Sequence, residues 1–201
     1  MLRVCYKLIH EFFYKCQRLF SIIHTKFRLV GNGVIYNDYR IVGTPIIHVG
    51  EHGKIVFGDN VQMNNGLMDN QIGFNSPCVF RAEYGAIIIG DNVGLSQSTL
   101  IAKNADIILG ANVKIGGGVK IYTTDFHSLN YEDRRDWLTD KEKVKSASVE
   151  IGDDCFIGAG TIILKGVRIG SRAVIGAGSV VTKDIPSDSI SAGNPCKVLR
   201  G

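Results

Sequence analysis

The chain has 201 residues, enough for one domain and an appendage, and its 23 Lys and Arg residues against 19 Asp and Glu give a formal net charge of +4. These cations are scattered and no basic run interleaved with aromatic residues occurs, so nucleic acid is not an expected partner. The five cysteines stand far apart without a C-x-x-C pair, which is typical of reduced cysteines in an intracellular protein.

The first predicted element is an amphipathic helix over residues 1–30, because residues 2–29 contain no Gly or Pro and apolar side chains recur at spacings of three and four. Two roles remain open for it: the helix packs on the remainder of the chain, or residues 1–29 bind an anionic membrane surface. No run of ~18 uncharged apolar residues and no signal-peptide core is present, so we expect a cytoplasmic protein, with peripheral membrane contact as the alternative.

Residues 31–190 are predicted to form an all-β solenoid, followed by a C-terminal tail at residues 191–201. The pieces between Gly31 and Lys54 are expected to be early, irregular coils. Later coils are expected to start at Phe57, Ile89, Leu109, Ile151 and Ile169, which are separated by 32, 20, 42 and 18 residues. The first separation, of 32 residues, holds either an excursion around residues 69–78 or almost two short coils.

The most regular stretch runs from Ile151 to Ile185, where an aliphatic residue returns at every sixth position. This period fits neither a helix nor a β-meander, but it is typical of a hexapeptide solenoid in which three hexads close one triangular coil. The first and fifth residues of each hexad are expected to point inward. Bends are expected at four glycines, which accept a positive φ there: Gly152, Gly158, Gly170 and Gly176.

These hexads, together with the ending G-A-G-S-V-V-T-K-D-I-P-S-D-S-I-S-A-G-N-P-C-K-V-L-R at residues 176–200, resemble the hexapeptide-repeat acyltransferases. The resemblance covers residues from about 55 to 200. It is nearest to the sugar and capsule-polysaccharide O-acetyltransferases, such as the maltose and galactoside enzymes. It implies a left-handed parallel β-helix, a homotrimer, acetyl-CoA as co-substrate without a metal, and a carbohydrate acceptor.

The 42-residue step predicts a protruding loop at residues 124–148, and a loop of this length on a rigid scaffold is more often functional than not. His127 stands where this loop opens, and histidine is the usual base for deprotonating a hydroxyl. The resembling enzymes carry their catalytic histidine in a similar turn, here Thr123 to His127. Asp125, two residues earlier, is expected to lie on the same side of an extended segment and orient the imidazole, although a backbone carbonyl would serve equally.

The resemblance also implies a groove between neighbouring subunits for coenzyme A. Matching positions here would be Ala159 and Ala177, which are one 18-residue coil apart and would stack. Polar and cationic residues would complete this groove and meet the phosphates: Thr182, Lys183, Lys197 and Arg200.

For the acceptor, Trp137 beside Arg134 offers a flat apolar surface next to a cation, although packing of Trp137 on a neighbouring subunit is an equal alternative. The maltose and galactoside enzymes carry an asparagine near the active site, and its approximate counterpart here is Ser98 or Thr99. Other functions remain as alternatives: acetylation of serine or of a hydroxylated antibiotic, a γ-carbonic-anhydrase-like zinc site that would need three histidines, or a β-helix that only binds.

Overall fold

The computed structural model describes residues 2–66, 70 and 74–201. Its body is a three-sided prism in which successive strands of the chain enter three parallel sheets in turn. A single unbroken helix, α1 (Leu2–Gly31), precedes this prism. The predicted repeat architecture is therefore present, and the helix ends one residue after the predicted boundary at residue 30.

The three sheets are called A, B and C here. Sheet A contains β1 (Ile35–Tyr36), β4 (Lys54–Phe57), β7 (Ala86–Ile89), β10 (Ile107–Leu109), β13 (Val149–Ile151) and β16 (Arg168–Ile169). Sheet B contains β2 (Tyr39–Val42), β5 (Val61–Asn64), β8 (Gly94–Ser96), β11 (Lys114–Ile115), β14 (Phe156–Ile157), β17 (Val174–Ile175), β19 (Ile190–Ala192) and the antiparallel β20 (Lys197–Arg200). Sheet C contains β3 (Ile46–Val49), β6 (Val79–Glu83), β9 (Thr99–Lys103), β12 (Lys120–Tyr122), β15 (Ile162–Ile163) and β18 (Val180–Val181).

The strand register confirms the predicted coil starts. Phe57 pairs with Ile89, Ile89 with Leu109, Leu109 with Ile151, and Ile151 with Ile169, so the five residues form one row along sheet A. The 32-residue step is therefore one coil with an excursion between β5 and β6, and the alternative of two short coils was wrong. Within the excursion predicted around residues 69–78, Asp69 and residues 71–73 lie outside the described residues.

The inward positions predicted from the hexads are all buried. Burying an aliphatic side chain completely contributes roughly 1.5–3 kcal/mol, so this inner row supplies the main cohesion between coils. The buried residues at the first position are Ile151, Ile157, Ile163, Ile169, Ile175 and Val181, and those at the fifth are Cys155, Thr161, Val167, Ala173, Ser179 and Ile185.

The expected reason for the corner glycines needs correction. The positive φ occurs two residues later, for example at Asp154 and Arg172, and not at Gly152 or Gly170. Gly152 is required by close approach instead, because a Cβ there would lie 2.6 Å from the amide nitrogen of Ser171 in the next coil. The coils therefore stack too tightly at this corner position for any side chain.

α1 contacts the prism through its C-terminal third. Ser21, Thr25 and Leu29 are buried, and the Arg28 guanidinium donates a hydrogen bond of 2.5 Å to the carbonyl oxygen of Pro45. The predicted packing of the helix on the solenoid is therefore confirmed for this part. At the other end of the chain, the tail predicted at residues 191–201 forms most of the β19–β20 hairpin, which ends sheet B.

Candidate active site

The loop between β12 and β13 is folded. It contains a 3-10 turn (Asp133–Arg135) and a short helix, α2 (Trp137–Lys143), and a bridge between Thr124 and Ser146 closes its base. α2 begins where it does because the Asp136 carboxylate accepts hydrogen bonds from the Thr139 amide at 2.9 Å and the Thr139 hydroxyl at 2.8 Å. Such a cap satisfies an amide that has no partner inside the helix.

His127 and Asp140 form a histidine–carboxylate pair. Nδ1 of His127 lies 2.6 Å from Oδ2 of Asp140, and the other carboxylate oxygen of Asp140 accepts a hydrogen bond of 2.6 Å from the Ser128 amide. An ionised carboxylate can only accept, so the neutral imidazole donates from Nδ1 and keeps Nε2 as an acceptor. The His127 side chain is 69% exposed whereas that of Asp140 is 13% exposed, so the imidazole is fixed on one side and accessible on the other.

The pKa of Asp140 is lowered, first by the hydrogen bond to His127 and then by the one from the Ser128 amide. Asp140 is therefore a carboxylate at neutral pH. Because a lowered pKa favours the folded state only above the pKa of the unfolded chain, this stabilisation is complete at neutral pH and is lost as the pH falls through the lowered value.

Other side chains brace the turn around Ser128. The Ser128 hydroxyl donates to Asp133 at 2.7 Å, and the Arg134 guanidinium donates to the Ser128 carbonyl oxygen at 2.6 Å. Arg134 was predicted to contact the acceptor substrate, but its guanidinium is engaged in holding the backbone of the loop. Its positive charge also contributes to the lowered pKa of Asp140.

The predicted contact between Asp125 and His127 was wrong. Asp125 pairs with Lys165 at 2.8 Å, and its amide donates to the Lys145 carbonyl oxygen at 3.2 Å. The physical reason is the residue between them: Phe126 has a φ of +66°, so the segment is a turn and not an extended strand. Asp125 thus ties the base of the loop to the next coil, while Asp140 orients the imidazole.

His127 opens into a cleft of about 360 Å³ between the loop and sheet C. Trp137 lies in its wall and is 70% exposed, with the Lys141 ammonium 5.3 Å from the centre of its ring. Trp137 therefore lies where the sequence placed an acceptor-binding aromatic residue, although a lysine takes the place of Arg134 beside it. Further residues of the cleft wall are Arg81, Glu83, Tyr84, Lys103, Asn104 and Phe126.

Ser98, the other predicted acceptor residue, is buried inside the prism. Its hydroxyl donates to the Ser96 carbonyl oxygen at 2.8 Å, and no part of its surface is exposed. The prediction for Ser98 was therefore wrong. The side chain stabilises a corner of the solenoid and cannot reach a substrate.

The residues matched to a cofactor groove fall at different places on the prism. Ala159 and Ala177 stack at the corner between sheets B and C, where the Gly178 amide donates to the Ala159 carbonyl oxygen at 2.8 Å. Lys197 is near this corner, because it pairs with Ala192 at the end of β19. Arg200 lies at the opposite end of β20. One corner of the chain thus offers small side chains, close backbones and a cation.

Thr182 and Lys183 follow β18 at the corner between sheets C and A. The loop that carries His127 follows β12 at this same corner, two coils earlier in sheet C. Within one chain, a whole side of the prism therefore separates His127 from the stacked alanines. The structure does not bring the predicted base and the predicted alanine groove together in a single subunit.

The buried cysteines are poor nucleophiles. Burial raises the pKa of the Cys78 thiol to about 11 and also raises the pKa of Cys155. Cys155 occupies an inward hexad position, as predicted. Residues 2–66, 70 and 74–201 contain no group of three His, Cys, Asp or Glu side chains placed to hold a metal ion.

The structure adds candidate site residues that the sequence did not indicate. Asp140 lies in the protruding loop at residues 124–148 but was not among the expected site residues. The spacing of Asp136 and Thr139 is an N-cap signal for a short helix and could have placed Asp140 on it. No sequence signal pointed to Arg81 and Lys103, because they reach the cleft from other coils.

The fold and the site define a β-helical protein with a histidine–carboxylate pair at a surface cleft. Residues 148–183 match the sequence profile of the bacterial transferase hexapeptide family, which is described as six repeats. A Saccharomyces cerevisiae protein named only as an acetyltransferase is 43% identical over 105 residues, which are 52% of this chain and 50% of that protein. The chain spans between about a quarter and about half the length of the first curated relatives that it matches.

Solved structures agree with this class. A hexapeptide-repeat acetyltransferase from Vibrio cholerae is 26% identical, with a TM-score of 0.55 over 90% of this chain and 80% of its own. That protein was also solved with acetyl coenzyme A. A maltose O-acetyltransferase from Clostridium difficile is 26% identical, with a TM-score of 0.52 over 94% of this chain and 87% of its own.

Proposed function

We propose that the protein is an acetyl-CoA-dependent O-acetyltransferase that acts on a hydroxyl group of a carbohydrate, such as a precursor of a surface or capsular polysaccharide. The observation that carries the proposal is the His127–Asp140 pair, which leaves Nε2 as an acceptor at the cleft. Relatives and structural neighbours that are acetyltransferases support the reaction class. We also propose that the coils wind left-handed, as in the hexapeptide-repeat acyltransferases that the sequence resembles.

In the proposed mechanism the acceptor hydroxyl approaches Nε2 of His127 in the cleft. Nε2 takes the hydroxyl proton while the oxygen attacks the thioester carbonyl, and the imidazolium that forms is stabilised by the Asp140 carboxylate. The carbon–sulfur bond then breaks, and the leaving thiolate recovers the proton from the imidazolium. The acetyl group passes directly from sulfur to oxygen without an acyl-enzyme.

The carbohydrate acceptor is supported by the composition of the cleft wall. The exposed Trp137 ring provides a flat apolar face for a sugar ring, and Lys103 and Lys141 would meet an anionic substituent. Arg81 is less available, because its guanidinium pairs with Glu83 at 3.1 Å. This pattern favours a sugar that carries a carboxylate or a phosphate.

The cofactor is proposed to lie along the corner that holds Ala159 and Ala177. The fit is physical: a Cβ on Gly158 would lie 2.5 Å from the Ala177 amide nitrogen, so the coils pack closely and leave a shallow, small-residue surface there. A thin pantetheine arm needs such a surface. Lys197 and Arg200 of the same chain are proposed to contact it or its phosphates. Thr182 and Lys183, which lie at the corner between sheets C and A, are proposed to contact it from a neighbouring subunit; all four residues are exposed.

Replacing Lys197 or Arg200 with Ala is expected to raise the Kd for acetyl-CoA by about 2- to 5-fold each, the usual worth of an exposed ion pair. The kcat at saturating acetyl-CoA should not change, because neither residue touches the reacting atoms. Isothermal titration and steady-state kinetics measure the two quantities. Lys54→Ala, on sheet A, is the matched control and should alter neither. A lowered kcat with an unchanged Kd would remove these residues from the cofactor site.

The separation of His127 from the stacked alanines within one chain favours a site shared between subunits. We therefore expect a homotrimer of parallel prisms, in which the sheet B–C corner of one subunit faces the His127 loop of its neighbour. Light scattering should give about three times the chain mass of 21.9 kDa. A monomer with full activity at micromolar concentration would contradict this arrangement.

The reaction class is tested by thiol release from acetyl-CoA against a panel of acceptors. The proposal predicts release that depends on a sugar, a nucleotide sugar or an oligosaccharide, and fastest on anionic members. Release that depends on serine or on a hydroxylated antibiotic would support the alternative acceptors. Carbon dioxide hydration in the presence of zinc would support the carbonic-anhydrase alternative, and no turnover with any partner would support a binding module.

A further inference from the structure

α1 carries an unusual amount of exposed apolar surface. Of 28 large hydrophobic side chains exposed in the described residues, 13 lie within its 30 residues. A helix that served only to pack on the prism would bury these side chains. The exposed set is Leu2, Val4, Tyr6, Leu8, Ile9, Phe12, Phe13, Leu19, Phe20, Ile22, Ile23, Phe27 and Val30.

Most of these side chains lie on one face. At 3.6 residues per turn, successive residues turn by about 100°, and eleven of the thirteen then fall within an arc of about 160°. Val4 and Ile22 lie outside this arc, and the exposed cysteines Cys5 and Cys16 lie inside it. The eleven exposed side chains within this arc are called the apolar face of α1 here.

The apolar face points away from the prism. Ser21, Thr25 and Leu29, the buried residues of α1, lie on the side of the helix about 180° from the centre of the apolar face. The helix therefore packs on the solenoid with the side that is opposite the apolar face. Phe20 and Phe27 flank these positions in sequence and remain 67% and 75% exposed. Packing on the prism and binding to another surface are thus compatible roles.

The positive charge of α1 indicates which kind of surface the apolar face would bind. The helix contains six of the 23 Lys and Arg residues and one of the 19 acidic residues, a formal charge of +5, which leaves −1 for the remainder of the chain. The single acid, Glu11, pairs with Lys15 at 2.8 Å. Two such helices placed face to face would bring two +5 segments together, whereas an anionic surface would neutralise them.

We propose that α1 binds in the plane of a membrane that contains anionic lipids, with its apolar face in the headgroup region and its cations on the lipid phosphates. This goes beyond the proposed function, since it does not depend on acetyl transfer. No helix in the described part of the chain is long and apolar enough to cross a membrane. An amphipathic helix with a cationic polar side instead lies at the interface. The buried side of α1 then holds the prism next to the bilayer.

The test is flotation of the full-length protein with vesicles of phosphatidylcholine alone and of phosphatidylcholine with phosphatidylglycerol. The intact protein should float with the mixed vesicles and much less with the neutral ones. The variant F12S/L19S/F20S should lower partitioning into both by more than about 100-fold, because three large apolar groups no longer insert. Its unfolding temperature should stay nearly the same, since all three side chains are more than half exposed.

A variant with fewer charges on α1 measures the electrostatic contribution to vesicle binding. K7Q/K15Q/K26Q should lower partitioning into the mixed vesicles by about 100-fold and leave the weak partitioning into neutral vesicles unchanged. The control K54Q/K120Q/K143Q removes the same charge from exposed positions outside α1 and should retain binding. All four proteins should release thiol equally with a soluble acceptor, so a failed flotation would not be confused with a failed enzyme.

The proposal is overturned if the intact protein does not float with the mixed vesicles. It is also overturned if the two triple variants within α1 bind as well as the intact protein. A lower assembly mass of F12S/L19S/F20S, measured by light scattering without lipid, would assign the apolar face to contacts between copies of the chain.

Discussion

His127→Ala is expected to lower kcat for acetyl transfer by about 10²- to 10⁴-fold, the usual worth of general-base assistance. The reason is that Nε2 is the proposed proton acceptor at the cleft and alanine offers none. The Kd for acetyl-CoA should remain nearly unchanged, because the cofactor is proposed to lie on the stacked alanines and not on the imidazole. Steady-state kinetics with the true acceptor and titration of acetyl-CoA measure the two quantities.

The matched control is His10→Ala, which removes an exposed histidine from α1 and should leave kcat with a soluble acceptor unchanged. If His127→Ala retained most of its turnover, the histidine would be an ordinary loop residue. An equal loss in kcat and in acetyl-CoA affinity would instead indicate that the substitution disorders the cleft.

Asp140→Asn is expected to reduce kcat by roughly 10²-fold or more, although it removes almost no volume. The Ser128 amide donates to one oxygen of Asp140, so the asparagine must keep its carbonyl oxygen there and turn its NH₂ group toward Nδ1 of His127. Nδ1 must then accept, and the proton moves to Nε2. The imidazole would present a donor to the acceptor hydroxyl and could not take its proton.

Asp125→Asn is the matched control, since it makes the same chemical change at the base of the same loop. It should weaken the ion pair with Lys165, lower the unfolding temperature slightly and leave kcat largely intact. A larger loss of kcat for Asp125→Asn than for Asp140→Asn would return the orienting role to Asp125.

The repeat fold could be predicted from the sequence because its cause is local. An aliphatic residue at every sixth position can be buried only if the chain turns after each hexad, and the inner row from Ile151 to Ile185 is buried throughout. The corner glycines show the limit of such local reasoning. Their requirement arises from the backbone of the neighbouring coil, as for Gly152 against Ser171, and contacts between coils are not visible in a single hexad.

His127 could be proposed as the base from the sequence, but its carboxylate partner could not. His127 is marked by its place at the opening of a long loop, whereas Asp140 lies 13 residues further along the chain and reaches it only because α2 folds back. The period-two argument that favoured Asp125 assumed extended backbone, and the positive φ of Phe126 breaks that assumption. Loop conformation depends on contacts such as that of Arg134 with Ser128, which no periodicity encodes.

The helix could be predicted in extent but not in orientation. The pattern of Leu2, Ile9 and Phe12 indicates an amphipathic helix, and it leaves packing against the prism and binding to a membrane both open. The structure shows that the packed side is the one with Ser21, Thr25 and Leu29, opposite the exposed apolar face. Amphipathicity alone cannot predict the orientation of the helix, because it does not specify which side of the helix packs against the prism.

The most direct test of the account follows radiolabelled acetyl groups from acetyl-CoA to an anionic oligosaccharide, with the intact protein and with His127→Ala. The account predicts label on the sugar with the intact protein, loss of that label in alkaline hydroxylamine because the product is an oxygen ester, and at most about one hundredth of the rate with the variant. Label that resists hydroxylamine would show transfer to nitrogen, and transfer that survives His127→Ala would contradict the catalytic role given to the His127–Asp140 pair.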